Sequence, residues 1–200
     1  MKLLLENWRQ YLNEGMKTVN DIPDNYVIHM GPGYWSKDET EFSLVNSATG
    51  KLIGDMRIRL MDPLDFHYDK DDPEQFDWCT SNKVYNVVGV QAKEGWGPLL
   101  YDLAMEYATS QGGWLTAHKE GTGLASVSGD ALRVWQHYFD WERYDEIKKI
   151  PEGMCHTSRT YSEEPPYNKP TIAEPLKHIY RKNPTTLDSL NKRGILKKHV

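Results

Sequence analysis

The sequence predicts a mixed α/β (α+β) fold, and three observations carry that expectation. Residues 26–60 read as strand-like runs separated by turn residues. Val84–Ala108 runs from strand through a glycine-containing loop into a helix without interruption. Trp114–Phe139 then repeats the strand-to-helix order. At 200 residues the chain is long enough to bury one real core, with short extensions at either end.

Composition narrows the function classes. A net charge of −5 argues against broad nucleic-acid binding, because phosphate contacts need a positive surface. The only cysteines, Cys79 and Cys155, set no disulfide framework and point to a reducing cytosol. No apolar run reaches the length of a membrane span, and there is no internal repeat.

Taken in order, Met1–Glu14 carries Leu4, Leu5, Trp8, Tyr11 and Leu12 at helical spacing, with Gly15 as a stop. Its apolar core is short and is broken by Glu6 and Arg9, which excludes a secretory signal and predicts an amphipathic helix docked on its own domain. Tyr26–Met30 is a strand ending at Gly31-Pro32-Gly33. Glu41–Asn46 and Lys51–Leu60 alternate on either side of Ser47-Ala48-Thr49-Gly50, the pattern of a hairpin. Asp62–Asn82 is a loop rich in Asp and aromatics. It reads either as a solvated loop anchored by its rings or as an acidic wall attracting a cationic amine. Asp69-Lys70-Asp71-Asp72-Pro73 lacks the glycine and ligand spacing of a calcium loop, and His67 and Cys79 are isolated, so no metal site is expected.

Val84–Val90 is an apolar strand, Lys93-Glu94-Gly95-Trp96-Gly97 the loop, and Pro98 the first helical position, where its missing N–H is no loss. Leu99, Leu100, Leu103, Ala104, Tyr107 and Ala108 share one helix face. The physical reading is an anion cradle: a tight glycine turn presents N–H groups beside the positive end of a helix dipole. A P-loop is excluded because Pro98 and Leu99 follow Gly97 where Lys-Ser/Thr would stand. The dinucleotide fingerprint fails because Leu100 takes the place of its third glycine. A bare strand-to-helix turn without a ligand is the alternative. Gly112-Gly113 ends the helix, Trp114–Ala117 is a strand, and a loop with Gly121 and Gly123 leads to Ser128 as N-cap. The next helix places Ala131, Val134, Trp135, Tyr138 and Phe139 on one face.

The segment Gln91–Gly97 resembles motif A of the GCN5-related N-acetyltransferase (GNAT) superfamily, Q/R-x-x-G-x-G/A, with a one-residue slip that puts Gln91 beside the Q/R position. Ser128–Trp135 follows the spacing of that family's N-x-x-A-x-x-L-Y helix, but Ser128 replaces Asn and Trp135 replaces the tyrosine that often serves as general acid. Residues 84–145 look most like the GNAT-like proteins of tailed bacteriophages. The resemblance implies a mixed central sheet flanked by helices, acetyl-CoA as co-substrate and an amine acceptor. It places the cofactor on Val88, Gly89, Val90, Gln91, Gly95, Trp96, Gly97 and Leu99, with a backbone N–H near Val88–Val90 polarising the thioester. The strand Val84–Val90 offers no carboxylate as base. Tyr138, one turn after Trp135, is the candidate acid, and His118 the candidate base. GNAT domains usually begin with a strand and two helices, and Tyr34–Thr40 is too short for both.

Leu12-Asn13-Glu14 before Gly15 is similar to the L-x-E site cut by prohead proteases of T-even-like phages, which implies a leader that directs the protein to the capsid interior. The organisation expected is therefore a helix or cleavable leader (1–15), a GNAT-like domain (16–161) and an extended Pro-rich C-terminal arm (162–200) with a short helix near Leu187–Leu190. The function expected is acetyl transfer to an amine, in the host cytoplasm. The alternatives are a virion-packaged GNAT fold without turnover and a host-modifying factor acting on a protein or tRNA amine.

Overall fold

The computed structural model describes residues 15–34, 36–61, 82–93, 95–117, 127–140, 147–151 and 174–199. The leader helix 1–14, the acidic loop 62–81, His67, Cys79, His118, Gly121, Gly123, Cys155 and the first part of the C-terminal arm (162–173) lie outside these residues.

One mixed sheet of eight strands organises the chain: β1 (Tyr26–Pro32), β2 (Glu39–Asn46), β3 (Lys51–Leu60), β4 (Lys83–Ala92), β5 (Gly113–Thr116), β6 (Ile147–Pro151), β7 (His178–Lys182) and β8 (Leu196–Lys198). Their spatial order is β6-β7-β5-β4-β3-β2-β1-β8. β1 to β4 are antiparallel neighbours, β4 and β5 run parallel, and β7 lies antiparallel between β5 and β6. The parallel step follows from the helix between β4 and β5, since a parallel pair needs a crossover connection. The β2–β3 turn falls on the residues expected. Asn46 Oδ1 accepts the N–H groups of Ala48 and Thr49, and Gly50 takes a left-handed φ of 67°.

Among the described residues three helices accompany the sheet: α1 (Gly97–Ser110), α2 (Gly129–Asp140) and α3 (Thr185–Lys192). α1 ends at Gly112, whose φ of 77° suits glycine just beyond a helix. The N-cap expected at Ser128 is present, its Oγ accepting the Ala131 N–H at 3.1 Å. α1 is buried beyond the face that its periodicity defines, because it lies on the sheet and is also met by α2, α3 and β7. Phe42 and Tyr85 meet Tyr107 of α1 edge-on, while Leu44, Met56 and Ile58 fill the same side of the sheet.

The C-terminal residues correct the expectation of an extended arm. From Glu174 the chain forms a short 3₁₀ turn, the inserted strand β7, helix α3 and the edge strand β8 parallel to β1. The short helix foreseen near Leu187–Leu190 is α3. Prolines at 165, 166, 170, 175 and 184 give an open local signal, but Ile179, Tyr180, Leu187 and Leu190 are all buried. Long-range burial outweighs local propensity here.

Candidate functional site

The junction of β4 and α1 is the most specialised part of the sheet. β4 pairs with β3 along most of its length, but Arg57 faces Gly89 while Ile58 faces Val87. Val88 is therefore the extra residue of a β-bulge, a device that re-aims backbone groups. On its other edge β4 pairs with β5 only from Lys83 to Asn86. Beyond Asn86 the strand continues for six residues to Ala92 with no further β5 partner. The bulge and the release from β5 coincide, so the predicted residues Val88, Gly89 and Val90 occupy a stretch whose β5-side edge is not taken up by β5.

Each side chain of that stretch has a definite place. Val90 packs partly against the core. Gln91 Nε2 donates to Asp55 Oδ1 at 2.6 Å. Gly89 lies beneath Arg57: a Cβ there would stand 3.1 Å from a guanidinium nitrogen. Glu39, buried although charged, holds Arg57 from β2 at 3.4 Å.

The loop after β4 is a tight turn, with Trp96 N–H donating to the Lys93 carbonyl at 3.0 Å. Gly95 and Gly97 have different jobs. Gly95 adopts φ 84°, a left-handed conformation, and a Cβ there would collide with the Gly15 carbonyl oxygen. Its own carbonyl accepts the Lys17 N–H at 2.9 Å, so the chain around residues 15–17 is seated on the loop. Gly97, by contrast, opens α1 with no heavy atom within 4 Å of an added Cβ. The side chains of Trp96 and Leu99 are both in the core, which leaves their backbone to line the loop. Among the described residues no side chain caps the start of α1. Its first-turn N–H groups, at Gly97 and Leu99 because Pro98 has none, are unpaired within the helix by construction. The Lys17 ammonium lies 4.8 Å from the Trp96 ring centroid. Lys93 stands beside Lys51, and a hydrogen bond with that neighbouring ammonium, more than desolvation, pulls its pKa down. Lys17, Lys51 and Lys93 thus stand near the loop although the chain is acidic overall.

Tyr138 is fully enclosed, 2 % exposed, and its hydroxyl donates to Asp102 Oδ1 at 2.7 Å, with the Pro98 carbonyl at 3.3 Å. Burial, reinforced by the Asp102 carboxylate, raises its pKa well above the usual phenol value. The hydroxyl thus ties α2 to the first turns of α1, and its proton is committed to Asp102. Trp135 is also core, packed edge-on against Tyr101 and tilted against Tyr180.

Two arrangements escape sequence reading. The first is a buried charge cluster. Lys182 Nζ lies 2.9 Å from Asp102 Oδ2 and 3.0 Å from Glu106 Oε1. Glu106, 0 % exposed, also accepts the N–H groups of Thr186 (2.9 Å) and Leu187 (2.7 Å), capping α3 from across the fold. Burial alone would lower the Lys182 pKa, but the Asp102 and Glu106 carboxylates outweigh it and raise it. No spacing signal joins residues 102, 106, 138 and 182. The second is the polar face of the sheet, turned away from α1. Register places Glu39, Arg59, Asn86 and Thr116 in one row across β2 to β5, with Glu41, Arg57 and Gly89 in the next. The i, i+2 spacing of Glu39, Glu41 and Ser43, and of Asp55, Arg57 and Arg59, is the available sequence signal for this face.

No protein-family model matches the chain, and no curated protein matches it in sequence. Among the described residues no helix is long and apolar enough to cross a membrane, and no group of three or more His, Cys, Asp or Glu side chains is arranged to hold a metal.

Proposed function

We propose that this chain is an acyl-CoA-dependent N-acyltransferase of the GNAT type, transferring an acetyl group to an amine. The observation that carries this reading is the β4–α1 junction. A bulge at Val88, a strand released from β5 after Asn86 and an uncapped helix start with open space over Gly97 follow one another within a dozen residues. Antiparallel strands before this junction and the β4–loop–α1–β5–α2 succession after it agree with the resemblance. The fold before β2 also agrees with the shortened version expected: β1 and β2 are antiparallel neighbours joined by a brief connection.

The residues suit such a ligand. The N–H groups at Gly97 and the first turn of α1, with Lys17, Lys51 and Lys93 nearby, would hold a pyrophosphate. Acetyl-CoA would supply the activated acyl thioester. The backbone around the Val88 bulge would donate to the carbonyl oxygen, where negative charge develops. The Glu39–Arg57 pair over Gly89 puts a carboxylate and a guanidinium on the face from which an amine would approach.

A second reading is a GNAT-like binder without turnover, packaged in a phage capsid. The commitment of the Tyr138 proton to Asp102 favours it, as does the lack of a carboxylate on Val84–Val90. Acetyl-CoA calorimetry on wild type and Gly97→Val tests the shared cradle. The added side chain starts in open space, so melting stays close to wild type while affinity falls at least tenfold, about 1.4 kcal/mol. Equal affinity in the two proteins refutes the cradle. A coupled amine-acetylation assay then separates enzyme from binder.

A further inference from the structure

Asn86 is 5 % exposed, and its Oδ1 is the buried side-chain atom that lacks a hydrogen-bond partner among the described residues. An orphaned carbonyl in a protein interior costs stability, so its retention calls for an explanation. Its position supplies one. Tyr85 points toward Tyr107 of α1, so strand alternation turns Asn86 to the opposite, polar face. It is the last β4 residue paired with β5 and stands two positions before the Val88 bulge. It also lies between Arg59 and Thr116 in the row that begins with Glu39.

We propose that Asn86 Oδ1 binds the acceptor substrate, a primary amine, by accepting one of its N–H groups. This rests on the acyl-transfer reading above. Two residues along a strand span about 6.6 Å. A nitrogen one hydrogen bond from Oδ1 is therefore within reach of a carbonyl polarised near Val88, where attack needs roughly 3–3.5 Å. In the step, the nitrogen lone pair forms the new N–C bond while the C–S bond breaks and its electron pair leaves on sulfur. The N–H held by Asn86 stays on the amide product. The other amine proton passes through solvent to the departing thiolate, giving the amide and the free CoA thiol. The bond to Asn86 aims the lone pair at the carbon.

The test compares wild type with Asn86→Leu, which keeps the bulk and removes the amide. In ligand-free protein the variant melts higher by about 2 °C or more, because the orphaned carbonyl is gone. A lower melting temperature assigns the amide to the scaffold and overturns the proposal. With n-butylamine as probe, Kd measured by NMR titration in the absence of any CoA rises at least tenfold in the variant. With acetyl-CoA present, KM for butylamine rises by a similar factor while acetyl-CoA affinity stays within twofold. A loss of acetyl-CoA affinity instead assigns Asn86 to the acyl donor and overturns the amine role. If wild type binds no acetyl-CoA, the acyl-transfer reading fails, and the CoA-free titration still decides the site. Equal butylamine Kd in both proteins overturns it.

Discussion

Replacing Lys182 with Met removes the cation from the buried cluster and leaves its carboxylates in place. Breaking a buried ion pair by deleting one partner costs about 3–5 kcal/mol, because the remaining charge is left uncompensated. Here the lower end applies. Asp102 keeps a quarter of its side chain in solvent and retains the Tyr138 hydroxyl, while Glu106 retains the positive N-terminal end of α3. A loss of about 3 kcal/mol is a large part of a typical 5–15 kcal/mol. At roughly 2–4 °C per kcal/mol for a chain of this size, melting falls by roughly 6–12 °C. Urea unfolding with an unchanged m-value measures the same loss as a shift in midpoint. Adding Glu106→Gln removes the stranded charge, so the double variant costs less than the sum of the two singles, with a coupling of about 0.5–3 kcal/mol. A single variant within about 1 kcal/mol of wild type refutes the cluster's structural role.

Tyr138→Phe deletes a hydroxyl that donates to a carboxylate, so it costs about 1.5–3 kcal/mol in urea unfolding and leaves amine turnover within a few-fold. A hundredfold loss of turnover with unchanged stability would instead make Tyr138 the acid. Stability also depends on pH at both limbs. Burial lowers the His137 pKa, so the unfolded chain takes up the proton first and stability falls as pH drops below about 6.5; His137→Gln flattens that limb. The raised pKa of Lys182 means that the folded chain holds its proton longer, so stability falls as pH climbs past about 10.4, and Lys182→Met makes that slope shallower, leaving the share carried by buried tyrosines such as Tyr138. If the leader directs the protein into capsids, mass spectrometry of mature particles finds chains starting at Gly15. Full-length chains there leave the docked helix.

Strand and helix periodicity, glycine stops and the Ser128 cap were legible because each is a local signal, set within a few residues of the chain. The hairpin turn at 47–50, the β4–loop–α1 succession and the second strand–helix unit all follow from such signals. The roles of individual residues do not. Gly95 and Gly97 look alike in sequence, but only the chain around Gly15 makes one structural and leaves the other open. The tyrosine one turn after Trp135 reads as a candidate acid from its spacing, and that spacing carries no sign of Asp102, 36 positions away, which accepts its hydroxyl.

The sequence by itself therefore determined the fold class, the order of elements from β1 to α2 and the place of the candidate anion cradle, since hydrophobic period and turn chemistry act locally. Tertiary structure alone decided the strand order, the insertion of β7, the bulge at Val88, the burial of Lys182 with Asp102 and Glu106, and the stranded carbonyl of Asn86. Each of these depends on which distant segment lies alongside. Pairing across a sheet and desolvation inside a core are contacts between residues far apart in the chain, and spacing along the chain carries no trace of them.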